Sequence, residues 1–195
     1  MYEVVGTLMS RTFRVFWMLE ELGQPYTQSP EPPRSPRVQE PNPLGKVPIL
    51  IDNGTPIADS TAIITYLADK HGALTFPAGT LERAAQDSFT HQILDEIDAA
   101  LWTASRHSFI LPEDMRVPDI KPSLKNEYAH SIAKLMARKR GPFLMGDQIT
   151  IPDIILTHCG GWAMTAKFPT DNDDFKSYLK QLRARPAFQK ARENK

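Results

Sequence analysis

Hydrophobic residues open the chain in a short alternating, β-branched run, Tyr2–Val5, which predicts a strand. From Arg11 to Leu22 the spacing changes to a helical one. Val15, Met18, Leu19 and Leu22 fall on one face, and Phe13, Phe16 and Trp17 on a second, so this helix is expected to be buried on most sides. Gly23-Gln24-Pro25 stops it, and Tyr26–Gln28 reads as a second strand, completing a βαβ unit. Pro30, Pro32, Pro33, Pro36, Pro41 and Pro43 then crowd one segment. Each removes a backbone donor and restricts the residue before it, so an extended, stiff loop without regular helix or central strand is predicted. Apolar runs at Val47–Ile51 and Thr55–Ala58 flank Asp52-Asn53-Gly54, a strong hairpin signal because Asn-Gly tolerates positive φ. Ser60 is placed to cap a helix running to about Lys70, with Gly72 ending it.

After Leu74–Leu81, a linker carrying Pro77 and Gly79, every periodic segment is helical. Phe89, Ile93, Ile97, Ala100, Leu101 and Ala104 mark one long helix, and Leu124, Tyr128, Ile132, Leu135 and Met136 a second. Ile151, Ile154, Ile155, His158 and Trp162 mark a third, and Phe175, Tyr178, Leu179 and Leu182 a fourth. A β/α half followed by a helical half implies two domains, 1–73 and 82–195, joined by 74–81.

Composition narrows the function classes. Lys and Arg total 23 and Asp and Glu total 23, so there is no basic excess of the kind that drives nucleic-acid binding. Arg138-Lys139-Arg140 and the basic tail read as solvated helix ends complementing the helix dipole. The single cysteine, Cys159, excludes an intrachain disulfide framework and any cysteine-rich metal site. It lies in a core helix, where an inert buried thiol is expected. The five histidines have no metal-ligand spacing, and no phosphate loop, dinucleotide fingerprint or nucleophile elbow occurs. No apolar stretch is long enough to span a membrane, and the first residues lack the pattern of a signal peptide, so a cytoplasmic protein is expected.

Two local motifs carry physical meaning. In Thr150-x-x-Asp153 the threonine is placed as a helix cap and the aspartate as its reciprocal acceptor, with Ile149 and Ile154 as a hydrophobic staple and Pro152 in the first turn. Asp59-Ser60 lies at a predicted helix start, where free N–H groups and the dipole favour an anion.

Together with Asn42-Pro43-Leu44-Gly45-Lys46-Val47-Pro48-Ile49-Leu50, these motifs resemble those of the cytosolic glutathione S-transferase family, of a theta-like or bacterial, serine-type kind. The resemblance covers essentially the whole chain. It departs at Pro152, where the family usually has alanine. It implies an N-terminal thioredoxin-like domain (β-α-β-β-β-α) followed by an all-helical C-terminal domain, with glutathione as co-substrate, a small electrophile as second substrate, a homodimer and no metal. Thioredoxin-like folds of this kind carry a cis proline at the position of Pro48, which turns the backbone of Val47 toward the cysteinyl unit of glutathione. Ser60 and its N–H suit the γ-glutamyl carboxylate, and Asp59 suits the ammonium. Lys46 either pairs with a peptide carboxylate or is simply solvated.

Such enzymes activate the thiol with a Tyr, Ser or Cys near the first strand's end. Tyr2 comes too early, and no cysteine is nearby. Ser10, in Ser10-x-x-x-Arg14, matches the theta-like arrangement, with Thr7 as the alternative hydroxyl. Ser10 otherwise only caps the helix. Without a cysteine there, thiol–disulfide exchange through a protein thiol is not expected. Arg11, Trp102, Arg106, His107 and Phe109 are candidates for the electrophile site. Trp102, Arg106 and Phe109 are spaced to share one helical face, an aromatic and cationic wall suited to a polarised electrophile. The competing reading is a non-catalytic binding or assembly module of the same fold.

Overall fold

The computed structural model describes residues 1–194, and the chain divides into two compact units. One comprises residues 1–77 together with the segment from Leu182 onward; the other is Ala78–Gln181. The sequence assigned 82–195 to a single helical domain, whereas the last segment packs with the first unit.

In the first unit, strands β1 (Tyr2–Val5), β2 (Tyr26–Ser29), β3 (Ile49–Asp52) and β4 (Thr55–Ala58) form one sheet in the order β2-β1-β3-β4. β1 runs parallel to β2 and antiparallel to β3, and β3 and β4 form the hairpin predicted at Asn53-Gly54, both residues having positive φ. Helices α1 (Thr12–Glu21) and α3 (Ser60–His71) pack against each other. Val4, Ile49, Leu50, Phe16, Leu19, Ile63, Ile64 and Leu67 are completely buried, and they make the core of this unit. The proline-rich segment is not without helix. A short α2 (Pro36–Gln39) fits between Pro36 and Pro41, because a proline at the first helical position loses no hydrogen bond and the buried Val38 anchors the turn.

The burial of α1 on most sides has its explanation at the far end of the chain. Helix α9 (Pro186–Ala191) lies against α1, with the Phe188 ring edge-on to Phe13 and to Trp17, 5.0 Å between centroids in each case. Arg185 donates Nε and Nη2 to the two oxygens of Glu21 at 2.6 and 2.7 Å, a bidentate pair, and Lys190 meets Glu20 at 2.7 Å. Tyr26 donates to Glu20 and accepts from Asn194, and burial pushes its pKa up to about 12. The basic tail is therefore a docking segment rather than a solvated helix end.

The second unit is helical. Thr80 caps α4 (Leu81–Gln92), accepting from the Arg83 N–H at 3.1 Å. The helical run continues through a π-helical stretch (Ile93–Asp98), α5 (Ala99–Ser105) and a second π-helical stretch (Arg106–Ile110). α6 (Lys121–Arg138), α7 (Ile151–Thr165) and the start of α8 (Asp173–Arg183) complete it. Arg138 is likewise not merely solvated, since its guanidinium lies over the Phe89 ring, 4.5 Å from the centroid. α7 and α8 meet at Gly160, where a Cβ would come within 2.7 Å of the Leu179 methyl groups. Cys159 is buried, its thiol 3.7 Å from Asp98 Oδ2. Among the described residues no helix is long and apolar enough to cross a membrane, and no group of His, Cys, Asp and Glu is arranged to hold a metal.

Candidate functional site

Strand register brings the candidate residues of the first unit to one edge of the sheet. Val5 pairs with Ile49, and Ile49 with Ala58, so the residues next beyond them, Gly6, Pro48 and Asp59, emerge at the same end. The Val47–Pro48 peptide bond is cis. The turn before it is held by Asn42, which donates Nδ2 to the Lys46 carbonyl at 2.9 Å and accepts the Leu44 N–H at 3.3 Å. The Lys46 side chain is exposed.

Ser10 precedes α1 and is part of a compact hydroxyl cluster. Its Oγ accepts the Thr12 N–H at 3.1 Å, donates to the Thr7 carbonyl at 2.8 Å and lies 2.7 Å from Thr12 Oγ1. Ser10 thus satisfies the N–H of the first helical residue, although the N-cap of α1 is Arg11. It also has a second hydroxyl beside it, which sequence reading missed. Thr12 is fully buried, and only glycine at position 6 leaves room for it, since a Cβ there would meet Thr12 Oγ1 at 2.3 Å. With Thr12 as the donor between the two hydroxyls, the single Ser10 proton goes either to Thr7 or to an incoming acceptor. Thr7 contributes its carbonyl, not its hydroxyl, to this cluster. Tyr2 sits at the other end of β1, its hydroxyl 2.9 Å from His71 Nε2.

At the start of α3 the division of labour differs from the sequence reading. Asp59, not Ser60, is the cap: it has φ 75°, and its Oδ1 accepts the N–H groups of Thr61 at 2.8 Å and Ala62 at 3.0 Å. Among the described residues Asp59 Oδ2 has no partner, and Asp59 is exposed. Ser60 is the first residue of the helix and is buried, accepting from Arg14 Nη1 at 3.3 Å. Arg14 was read only as part of a pattern; the bond spans 46 positions, so no local signal assigns it a partner.

The remaining electrophile-site candidates are split between the units. Arg11 is half-buried at the start of α1. Trp102 and Arg106 belong to the second unit, and Arg106 Nη2 donates to Thr103 Oγ1 at 3.3 Å. His107 Nδ1 accepts the Val117 N–H at 3.1 Å, which puts the proton of the neutral ring on Nε2. The shared face proposed for Phe109 does not hold. Arg106–Ile110 is π-helical, so the α-helical period that aligned Phe109 with Trp102 and Arg106 fails there, and Phe109 is 66% exposed.

A thioredoxin-like sheet unit followed by a helical unit is the fold of the glutathione S-transferases, and comparison with known proteins agrees. Residues 7–75 match the sequence profile of the family "Glutathione S-transferase, N-terminal domain". Residues 7–75 thus match a glutathione S-transferase N-terminal domain, and the whole chain shares the fold of solved glutathione transferases. Its sequence is 39% identical to glutathione S-transferase 3 of Schizosaccharomyces pombe over 32% of this chain, a match that spans only 28% of the yeast protein. It is 28% identical to a zeta-class glutathione S-transferase of Euphorbia esula over 79% of this chain and 70% of that one. It is 30% identical to the probable elongation factor 1-gamma 2 of Arabidopsis thaliana over 80% of this chain and 39% of that one. Among solved structures, a glutathione transferase of Methylococcus capsulatus superposes with a TM-score of 0.83 at 24% identity, covering 99% of this chain and 98% of the other. Ure2p in complex with glutathione superposes with a TM-score of 0.85 at 18% identity, covering 99% and 93%.

Proposed function

We propose that this protein is a cytoplasmic, homodimeric glutathione S-transferase of the serine type, joining the thiol of glutathione to small electrophiles in a detoxifying role. The observation that supports this reading is the strand register, which brings Pro48 and Asp59, the chain neighbours of Val47 and Ser60, to the same end of the sheet as Gly6. Ser60 offers hydrogen-bond donors for the γ-glutamyl carboxylate. The open oxygen of Asp59 suits the ammonium beside it, and the Val47 backbone the cysteinyl unit. Ser10 then donates to the sulfur and stabilises the thiolate, which is the nucleophile. Hydrogen bonds to charged groups contribute about 1.5–3 kcal/mol, or roughly one to two pKa units of thiol acidity. The thiolate attacks the electrophile, forms the carbon–sulfur bond and expels the leaving group, while the thiol proton passes to solvent. Arg11 is proposed to face the electrophile, and Lys46 is the proposed partner for a peptide carboxylate of glutathione.

Calorimetric titration with glutathione, followed by turnover of 1-chloro-2,4-dinitrobenzene, tests the reading. Binding and turnover are expected. Binding without turnover would instead favour a non-catalytic module, a role to which the elongation-factor relative lends weight. Asp59→Asn is the sharper variant. Asparagine caps helices and tolerates positive φ, so stability should hardly change, while the lost charge should weaken glutathione binding roughly tenfold or more. Unchanged affinity in the titration would mean that the ammonium binds elsewhere.

A further inference from the structure

Thr12 is completely buried, so solvent cannot take up the hydrogen of its hydroxyl. Among the described residues its Oγ1 has one polar neighbour, Ser10 Oγ at 2.7 Å. Buried polar side-chain groups are as a rule bonded, and this hydroxyl has no other acceptor in reach. The direction between the two hydroxyls is thereby set: Thr12 donates and Ser10 accepts. The Ser10 end agrees, since its hydroxyl has a single hydrogen and the Thr7 carbonyl, 2.8 Å away, can only accept it. Ser10 Oγ also accepts the Thr12 N–H at 3.1 Å, so both of its lone pairs are taken by one residue. What remains to the half-buried Ser10 hydroxyl is its hydrogen. Its backbone is held too, because the Phe13 N–H donates to the Ser10 carbonyl at 3.2 Å.

We infer that Thr12 is a positioning residue that holds the Ser10 hydroxyl to a donor role toward the sulfur of glutathione. This rests on the glutathione reading above. Thr12 acts through Ser10 and, being buried, does not touch the ligand. A serine hydroxyl with a lone pair to spare can accept from a thiol S–H, and that bond favours the protonated form. With its lone pairs filled it can only donate, and donation favours the thiolate, which is the reactive form. The two bonds from Thr12 also polarise the Ser10 O–H, since hydrogen bonds in a chain strengthen one another. Both effects lower the pKa of the bound thiol. Gly6 is part of the device, because a Cβ there would lie 2.3 Å from Thr12 Oγ1 and displace the hydroxyl from its place.

The test follows turnover of 1-chloro-2,4-dinitrobenzene at saturating glutathione as a function of pH, with folding of each variant checked by circular dichroism. Thr12→Val keeps the branched shape and removes the hydroxyl donor. It should move the rising limb of the profile up by about half a unit to one unit, a loss of roughly three- to tenfold in rate below the limb. Thr12→Ser restores the donor and should return the limb to its wild-type position. A merely structural role would lower stability and leave the limb in place, so a folded Thr12→Val protein with the wild-type profile overturns the inference. If Thr12→Val does not fold, Thr12→Ala removes the same donor and is read in the same way. In a Ser10→Ala background the loss of the Thr12 hydroxyl should shift the profile no further. Additive shifts would show that Thr12 acts by another route and overturn the inference. Wild-type protein without turnover overturns the glutathione reading itself, whereas active wild-type protein whose limb stays put in the Thr12 variants overturns only the role of Thr12.

Discussion

Asp153→Ala is expected to cost roughly 3–5 kcal/mol of folding free energy, the largest loss from any single substitution considered for this chain. Asp153 is completely buried at the start of α7 and collects four hydrogen bonds. Its Oδ1 accepts the Leu144 N–H at 2.9 Å and the Tyr178 hydroxyl at 2.8 Å, and its Oδ2 accepts the Thr150 N–H at 2.8 Å and hydroxyl at 2.9 Å. One carboxylate thus ties together the loop before α7, the cap of α7 and the middle of α8. Burial pushes its pKa above the ordinary carboxylate range, and the hydrogen bonds counter part of that rise. Alanine would strand these donors in a region closed to water, where each unsatisfied group costs about 1–3 kcal/mol before relaxation. Urea unfolding monitored by circular dichroism measures the effect. A midpoint that moves by less than about 0.5 kcal/mol equivalent would show that the network is dispensable. Asp153→Asn should be milder, because the amide keeps one acceptor.

Ser10→Ala should produce the largest loss of activity, roughly 10- to 100-fold in turnover near neutral pH, by raising the pKa of bound glutathione about one to two units. The sign follows from the chemistry: the thiolate is the reactive form, so losing its hydrogen-bond donor moves the rising limb of the pH–rate profile to higher pH. The structure adds a second consequence. Because Ser10 Oγ also accepts the Thr12 N–H, the same substitution removes a hydrogen bond at the start of α1 and should cost about 1 kcal/mol of stability. The two readouts separate the roles. A loss of stability with an unchanged pH–rate profile would reduce Ser10 to a structural residue and leave the thiol to another donor.

The elements of the chain were legible wherever their cause is local. The Asn53-Gly54 hairpin, the stop at Gly72 and the Thr150-x-x-Asp153 box rest on backbone conformations and hydrogen bonds within a few residues, so sequence spacing alone determines them. Helical periodicity located α1, α6 and α7 for the same reason, since a buried stripe repeats with the turn of its own helix. The cis Val47–Pro48 bond came only through resemblance.

What tertiary structure decided are pairings across long stretches of chain. Local periodicity reports that Phe13 and Trp17 are buried, but not that Phe188 buries them, nor that Glu21 binds Arg185 164 positions away. The π-helical stretches escaped because the 3.6-residue period used to read faces is the quantity they alter, which is why Phe109 left the wall assigned to it. The same holds for the candidate site. Asp59 and Ser60 were found by their place at a helix start, yet which of them caps the helix and which faces Arg14 depends on how α1 packs against α3. Sequence supplies donors, acceptors and their local order. Only the fold fixes which distant group takes up each one, because that choice is made by burial and packing geometry between elements.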